Sequence, residues 1–163
     1  YPDAALREHC RPVDDVTARE AELLEQMLVV MRQYKGIGLA APQVGISLPL
    51  IVACVDDRVV KMVNPRIWES SGTEVRAEGC LSIPTVRGNV KRPDKIFLQF
   101  HDFDMNEIKM EFSGFFARVI QHEIDHLDGI LFIDYLVPGQ EIELDEDYPL
   151  PKDLADRLLK GSK

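Results

Sequence analysis

The sequence predicts an α+β fold. Three features carry that expectation: a helical apolar stripe near the N-terminus, a central block of strand-like segments rich in β-branched residues, and a second helix that is apolar on more than one side. The chain has 163 residues, 45% of them hydrophobic and 29% charged, enough to build one core of its own. No internal repeat, low-complexity tract or long linker divides it, so residues 1–163 read as one domain.

From Asp14 or Asp15 to Tyr34 the pattern is helical. Leu23, Leu24, Met27, Leu28, Val30, Met31 and Tyr34 recur at spacings of three and four, and the aspartates are placed to cap the start. Gly36-Ile37-Gly38 ends this helix, and a loop over 38–45 follows, holding Pro42 and Gln43. Residues 48–55 and 59–63 read as strands, with Pro65 just beyond the second, and 73–77 and 83–90 carry weaker strand signals. Residues 95–100 and 107–112 look like the arms of a hairpin turned by Asp104-Met105-Asn106. Ser113 opens the second long helix, which runs to about Asp128 and is closed by Gly129. With Phe115, Phe116, Val119, Ile120, Ile124 and Leu127 spread around it, this helix should be buried. Pro149-Leu150-Pro151 precedes a short C-terminal helix at about 152–160.

Charge and composition exclude several function classes. The net charge is −9, from 28 acidic against 19 basic residues, so the chain has no general attraction to phosphate backbones and no nucleic-acid partner is expected. Much of the acid falls in 141–147, which reads as a solvated surface segment rather than a site. No apolar run is long enough to span a bilayer. Residues 1–7 carry neither a secretory nor a transit pattern, and without an initiator Met the natural start is expected to be missing or processed. Cys10, Cys54 and Cys80 are too few and too odd in number for a disulfide framework, which fits a reducing compartment. Cys54, inside an apolar run, reads as a small buried side chain.

The most informative stretch is Gln121-His122-Glu123-Ile124-Asp125-His126. Residues four apart on a helix share a face, so His122 and His126 can aim at one point, and H-E-x-x-H on a helix is the pattern of zinc hydrolases with the glutamate as general base. Two histidines and a carboxylate on an otherwise apolar helix are costly to bury without partners, which favours a metal site over satisfied core histidines. Such a site needs a third protein ligand and one open position. A third histidine is ruled out, because Phe132 stands where it would fall, although Gly129 is in place. Glu143 or Glu146 lies at a tolerable distance, but in the acidic, Pro-flanked segment. Cys80, in the polar, glycine-bearing turn Glu78-Gly79-Cys80-Leu81-Ser82, is the favoured ligand, since thiolate binds zinc or ferrous iron well.

Three segments together resemble the peptide deformylase family: Gly36-Ile37-Gly38-Leu39-Ala40-Ala41-Pro42-Gln43, then Glu78-Gly79-Cys80-Leu81-Ser82, then the histidine segment, in family order and at family-like spacing. The resemblance runs from Tyr1 to about Tyr135. It implies a single catalytic domain of antiparallel sheets packed around the central buried helix that carries the histidines. It implies Cys80, His122 and His126 as ligands to one divalent metal ion, ferrous iron in the cell, with zinc, nickel or cobalt found in isolated members. By the same resemblance Glu123 is the general base, and the Leu81 N–H and the Gln43 amide stabilise the oxygen that gains charge. Gly38 lets a peptide run strand-like beside its loop. A pocket for a methionine side chain maps onto Ile37, Glu78, Phe115, Arg118, Val119 and His122. Many relatives carry an aliphatic residue at the position of Arg118, and outward snorkelling of its guanidinium is the alternative. Arg87 falls where relatives often have an arginine near the mouth, with a solvated surface charge as the equal alternative.

The activity so implied is hydrolytic removal of the formyl group from the N-terminal formylmethionine of newly made proteins, releasing formate. The expected partners are N-formylmethionyl nascent chains, with transient ribosome contact. Docking through the C-terminal helix is opposed by Asp153 and Asp156, which offset Lys152, Arg157, Lys160 and Lys163. The expected compartment is a bacterial-type cytoplasm or an organelle matrix rather than the exterior, with no membrane partner. Two rivals stand beside this reading: an endopeptidase using Glu143 or Glu146 as third ligand, and a non-catalytic metal-binding module.

Overall fold

The structure, a computed structural model, describes residues 1–159. Helix α1 spans Ala18–Gln33 and begins three residues after the aspartates expected to cap it. Thr17 is the cap instead. Its hydroxyl accepts from the Arg19 N–H at 3.2 Å and the Glu20 carboxylate accepts from the Thr17 N–H at 2.9 Å, a reciprocal arrangement that aspartate further upstream cannot offer. Leu24, Met27, Leu28 and Met31 form its buried face.

Eight strands follow: β1 Gly38–Ala40, β2 Leu50–Val55, β3 Arg58–Ser71, β4 Glu74–Cys80, β5 Ile83–Arg92, β6 Lys95–His101, β7 Glu107–Ser113 and β8 Ile142–Leu144. Helix α2, Gly114–Leu127, comes between β7 and β8, and α3, Lys152–Leu159, closes the described chain. The final position expected for that last helix, Lys160, and Lys163 beyond it, lie outside the described residues. All pairings are antiparallel, in a five-stranded sheet of order β1-β2-β3-β6-β7 and a three-stranded sheet of order β4-β5-β8.

The expected hairpin is β6–β7, with Asp102 accepting from the Asp104 and Asn106 N–H groups at the turn. β3 is far longer than the predicted 59–63 and runs straight through Pro65. A proline cannot join a regular ladder, and it is accommodated because the register with β6 shifts between Val63 and Arg66. Beside it Asn64, at φ 51°, hydrogen-bonds both backbone groups of Val13.

β2 explains why its sequence is apolar without alternation. Ile51 faces the cluster shared with Ile120 of α2, while Leu50 and Val52 face Leu24, Met27 and Met31 of α1. Both faces are therefore buried. Cys54, at the end of β2, is half-buried rather than buried as expected, and the three cysteines are free. α2 is covered on both sides. Ala117, Ile120 and Leu127 pack on the five-stranded sheet, and the opposite side, bearing Arg118 and His122, meets the small sheet and Phe132. Among the described residues no helix is long and apolar enough to cross a membrane.

The segment 141–147 corrects the sequence reading. It is exposed, as expected, but it is not a free loop: β8 forms the third strand of the small sheet beside β5.

α2 is stopped at Gly129, whose φ of 70° is costly for any residue with a side chain. The N-terminal strap crosses there, with the Cys10 N–H donating to the Leu127 carbonyl at 2.8 Å, and a Cβ on Gly129 would lie 2.6 Å from the Arg7 carbonyl oxygen. Gly129→Ala should therefore lower stability by about 1–3 kcal/mol in urea unfolding.

Candidate metal centre

α2 sets the two imidazoles one turn apart, with ring centroids 5.2 Å from each other and planes crossing at 77°. β4 supplies the third donor. Its register with β5 shifts between Glu78 and Cys80, and the tight turn Leu81-Ser82 then reverses the chain, so that Cys80 ends the strand facing α2. Cys80 Sγ lies 3.3 Å from His126 Nε2, and the donor atoms of Cys80, His122 and His126 all fall within 4.8 Å of one another. That Sγ–Nε2 separation is close to the edge, roughly 3.5 Å, of a tetrahedral site with bonds of about 2.3 and 2.0 Å. His122 Nδ1 faces Glu78 Oε2 at 3.0 Å, which leaves its Nε2 lone pair available. Burial, with the nearby His122 next in effect, pushes His126 down to about 3, so it is a neutral imidazole that can ligate. Burial pulls the His122 pKa down, but its hydrogen bonds to Cys80 and Glu78 prevail and raise it well above the ordinary value, so a cation would displace a proton there. With that proton gone, one sulfur and two imidazoles are a fit donor set for a first-row divalent cation.

Glu123 stands beside this cluster. It is buried, and its Oε2 has no hydrogen-bond partner. Its Oε1 lies against Gly38, where a Cβ would come within 2.2 Å of it. Burial pushes its carboxyl up to about 7, against a partial pull downward from His122, which suits a group that takes and returns a proton near neutrality. Gln43 reaches the site from the 3₁₀ turn Ala41–Val44. Its Oε1 accepts from the Ala40 N–H at 2.7 Å, which turns its Nε2 toward Ser82 Oγ at 3.2 Å and Cys80 Sγ at 3.5 Å.

These groups open onto a cavity of about 950 Å³. Gly38, Gln43 and Leu81 line it near the cluster, and Ile37, Phe115 and Val119 give it apolar walls. Arg87 is exposed at its edge. Glu78 and Arg118 also border it. The Glu78 carboxylate is engaged on both oxygens: Arg92 grips it twice, at 2.6 and 2.9 Å, and Arg118 adds a third contact at 2.6 Å besides that of His122. Burial pushes this carboxyl up, but the hydrogen bonds and charges of His122 and Arg92 prevail and hold it at about 2. Arg118 does not snorkel outward. Its guanidinium is buried, donating to Glu78, the Val90 carbonyl and the Glu74 carbonyl, because the small sheet covers this side of α2. Glu143 and Glu146 are exposed, and neither joins the donor cluster.

The sequence profile of the polypeptide deformylase family matches residues 1–141. The chain belongs to that family. A peptide deformylase of Caldicellulosiruptor bescii is 42% identical over 146 residues, covering 88% of each chain. The crystal structure of the peptide deformylase from Thermotoga maritima superposes with a TM-score of 0.82 at 39% identity, over 85% of this chain and 95% of that one. The Acinetobacter baumannii peptide deformylase, solved with Met-Ala-Ser bound, superposes with a TM-score of 0.79 at 33% identity, over 83% of this chain and 94% of that one. Deformylases are metal-dependent hydrolases that remove the N-formyl group from nascent chains.

In this deformylase chain the residues that sequence reasoning missed are those that hold the donor cluster in place rather than its members. Arg92 donates to Asp125 at 2.8 Å as well as to Glu78, and its guanidinium lies 5.0 Å from the centre of the Tyr135 ring. Asp125 sits inside the histidine segment and was passed over, while Arg92 carries no local signal at the end of β5. Removing the shared carboxylate should show what it does. Glu78→Ala leaves two buried guanidinium groups short of a counter-charge, and should cost about 3–5 kcal/mol in denaturant unfolding. The conservative Glu78→Gln should fold better yet retain metal about 10- to 100-fold more weakly in a chelator competition, because the negative charge that faces His122 Nδ1 is lost.

Proposed function

We propose that the cleft hydrolyses the formyl amide of N-formylmethionyl nascent peptides with Glu123 as the proton carrier and Cys80, His122 and His126 as the metal ligands. The observation that carries this reading is the buried Glu123 carboxyl with a free Oε2, placed beside a sulfur-and-two-imidazole donor set at the base of an open cleft. Ferrous iron is the proposed cation in the cell, with zinc, nickel or cobalt able to replace it in the isolated protein, since the same donors accept each.

When bound, such a cation polarises a carbonyl and makes water more acidic. The chain's own residues do the rest. Glu123 takes a proton from the attacking water at Oε2. As the formyl carbonyl becomes tetrahedral, the Gln43 Nε2 and the Leu81 N–H donate to its oxygen. Glu123 then returns the proton to the departing nitrogen, the C–N bond breaks, and formate leaves with a free peptide amine behind it. Gly38, in a strand at the cleft edge, admits a peptide backbone in strand-like pairing. Ile37, Phe115 and Val119 offer apolar contact to the methionine side chain. The Met-Ala-Ser bound to the Acinetobacter baumannii enzyme supports a methionine-first peptide as occupant here.

Bacterial relatives and free cysteines support a cytoplasmic or organelle-matrix setting. A transient ribosome contact is proposed on a surface other than the inward face of α3, because Leu154 and Leu158 are buried in the core and Arg157 is tied to Asp134.

The deciding experiment is formate release from formyl-Met-Ala-Ser, run anaerobically with each metal in turn. Activity should be present and highest with ferrous iron. Glu123→Gln should keep its metal but lose about 10²–10⁴-fold in kcat. Cys80→Ala should lose the metal while Glu146→Ala keeps it; the reverse pair would favour the endopeptidase. An intact, metal-loaded protein that released no formate would leave the binding-module reading standing.

A further inference from the structure

One side of the cavity is a seam between β4 and α2, lined by Glu78 and Cys80 from the strand and by Phe115, Arg118 and Val119 from the helix. β4 is an edge strand of its sheet, and its register with β5 is regular from Glu74 to Glu78. Alternate residues of a strand share a face, so Glu74, Arg76 and Glu78 project together. All three reach α2. Glu78 accepts from Arg118 at 2.6 Å and faces His122 at 3.0 Å, and a Glu74 carboxylate oxygen lies 3.4 Å from Arg118 Nε. Arg76, between them, meets the helix differently. Its guanidinium lies over the Phe115 ring, 4.8 Å from the centre.

Phe115 has few other supports. It is 40% exposed, belongs to none of the three core clusters and pairs with no other ring among the described residues, whereas the neighbouring Phe116 packs edge-on against Phe112 at 5.1 Å. The helical turn that carries it receives no side-chain cap from Ser113. Arg76 is equally uncommitted elsewhere. Among the described residues its ion pair is with Glu74, at 3.9 Å, and that carboxylate is shared with Arg118. A cation over an aromatic ring is drawn to the negative face of the ring, and the attraction survives partial exposure.

We propose that Arg76 is a positioning residue that sets selectivity for the first side chain of the substrate. By resting on Phe115 it closes the outer end of the seam and holds one apolar wall where the end of a methionine side chain needs contact. Without it the ring is free to swing into solvent, and a long side chain loses a wall that a short one never reaches. Arg76 touches no reacting atom; it acts through Phe115. The inference rests on the methionine pocket proposed above, and its test separates the two.

The test compares kcat/KM for formyl-Met-Ala-Ser with that for formyl-Ala-Ala-Ser. Arg76→Ala should lower the methionine-to-alanine ratio by about two- to fivefold, the scale of a cation–π contact at an exposed site, with the loss falling on KM for the methionine peptide. Arg76→Gln, which keeps a polar chain without the charge, should lose as much, while Arg76→Lys should keep part of the preference. The same loss should appear in about 0.5 M NaCl, where a long-range charge effect would be screened. In a Phe115→Leu background, Arg76→Ala should change the ratio no further. An unchanged ratio in Arg76→Ala, a loss that disappears in salt, or the same loss with and without Phe115 would overturn the proposal. Formate release from neither peptide by the unaltered, metal-loaded protein would instead overturn the deformylase reading, and this inference with it.

Discussion

Everything at this site hangs on one buried carboxylate. Glu78 leaves β4 and meets Arg92 from β5 and Arg118 and His122 from α2, so a single side chain ties the small sheet to the histidine helix. Buried charges of this kind give little net stability over apolar packing, and what they give is a fixed geometry. Here the geometry matters. The hydrogen bond from His122 Nδ1 sets which imidazole nitrogen is left to ligate and in which direction it points. Arg92 and Arg118 in turn hold Glu78, and Asp125 and Glu74 offset their charge from the rim. His122 is placed by a lattice of charge whose members come from positions 74 to 125.

That separation decides what could be read from the sequence. α2 and its histidines were legible because helical periodicity and the four-residue spacing are local properties. The β6–β7 hairpin was legible for the same reason, its strands and turn lying within one short stretch. The start of α1 was displaced because two aspartates and a threonine all resemble caps, and only Thr17 has Glu20 three residues on to complete the box. Glu78 was read as a wall of the pocket, which it borders, but its partners Arg92 and Arg118 are 14 and 40 residues away and nothing in the intervening chain announces them. The acidic segment was correctly judged exposed. Its pairing with β5 was not foreseeable, since Ile142–Leu144 is three residues long and its partners Val86 to Gly88 lie more than fifty positions earlier.

The donor cluster itself was assembled from pattern alone: Cys80, His122 and His126 were named from residue type and spacing, and the fold brings them together. What spacing could not supply is the reason that they remain apart from solvent and from one another's partners. Phe132 stacks on His122 at 6.0 Å, and the 3₁₀ turn Phe132–Tyr135 that carries it is anchored in the second core. The residue that ruled out a third histidine is thus the one that walls in the first.

The same logic bears on a second buried carboxyl. Glu123 is a buried carboxyl with one oxygen unpaired, and His126 Nδ1 beside it is buried and unpaired as well. Elsewhere in a core such atoms would be destabilising enough to be lost. Two of the five such atoms among the described residues, those of Glu123 and His126, fall within this one site. The space that Glu123 occupies exists only because Gly38 has no side chain, and β1 is held so close by its register with β2 at Gly38↔Ala53. The absence of one methyl group on β1 therefore fixes the position of the Glu123 carboxyl.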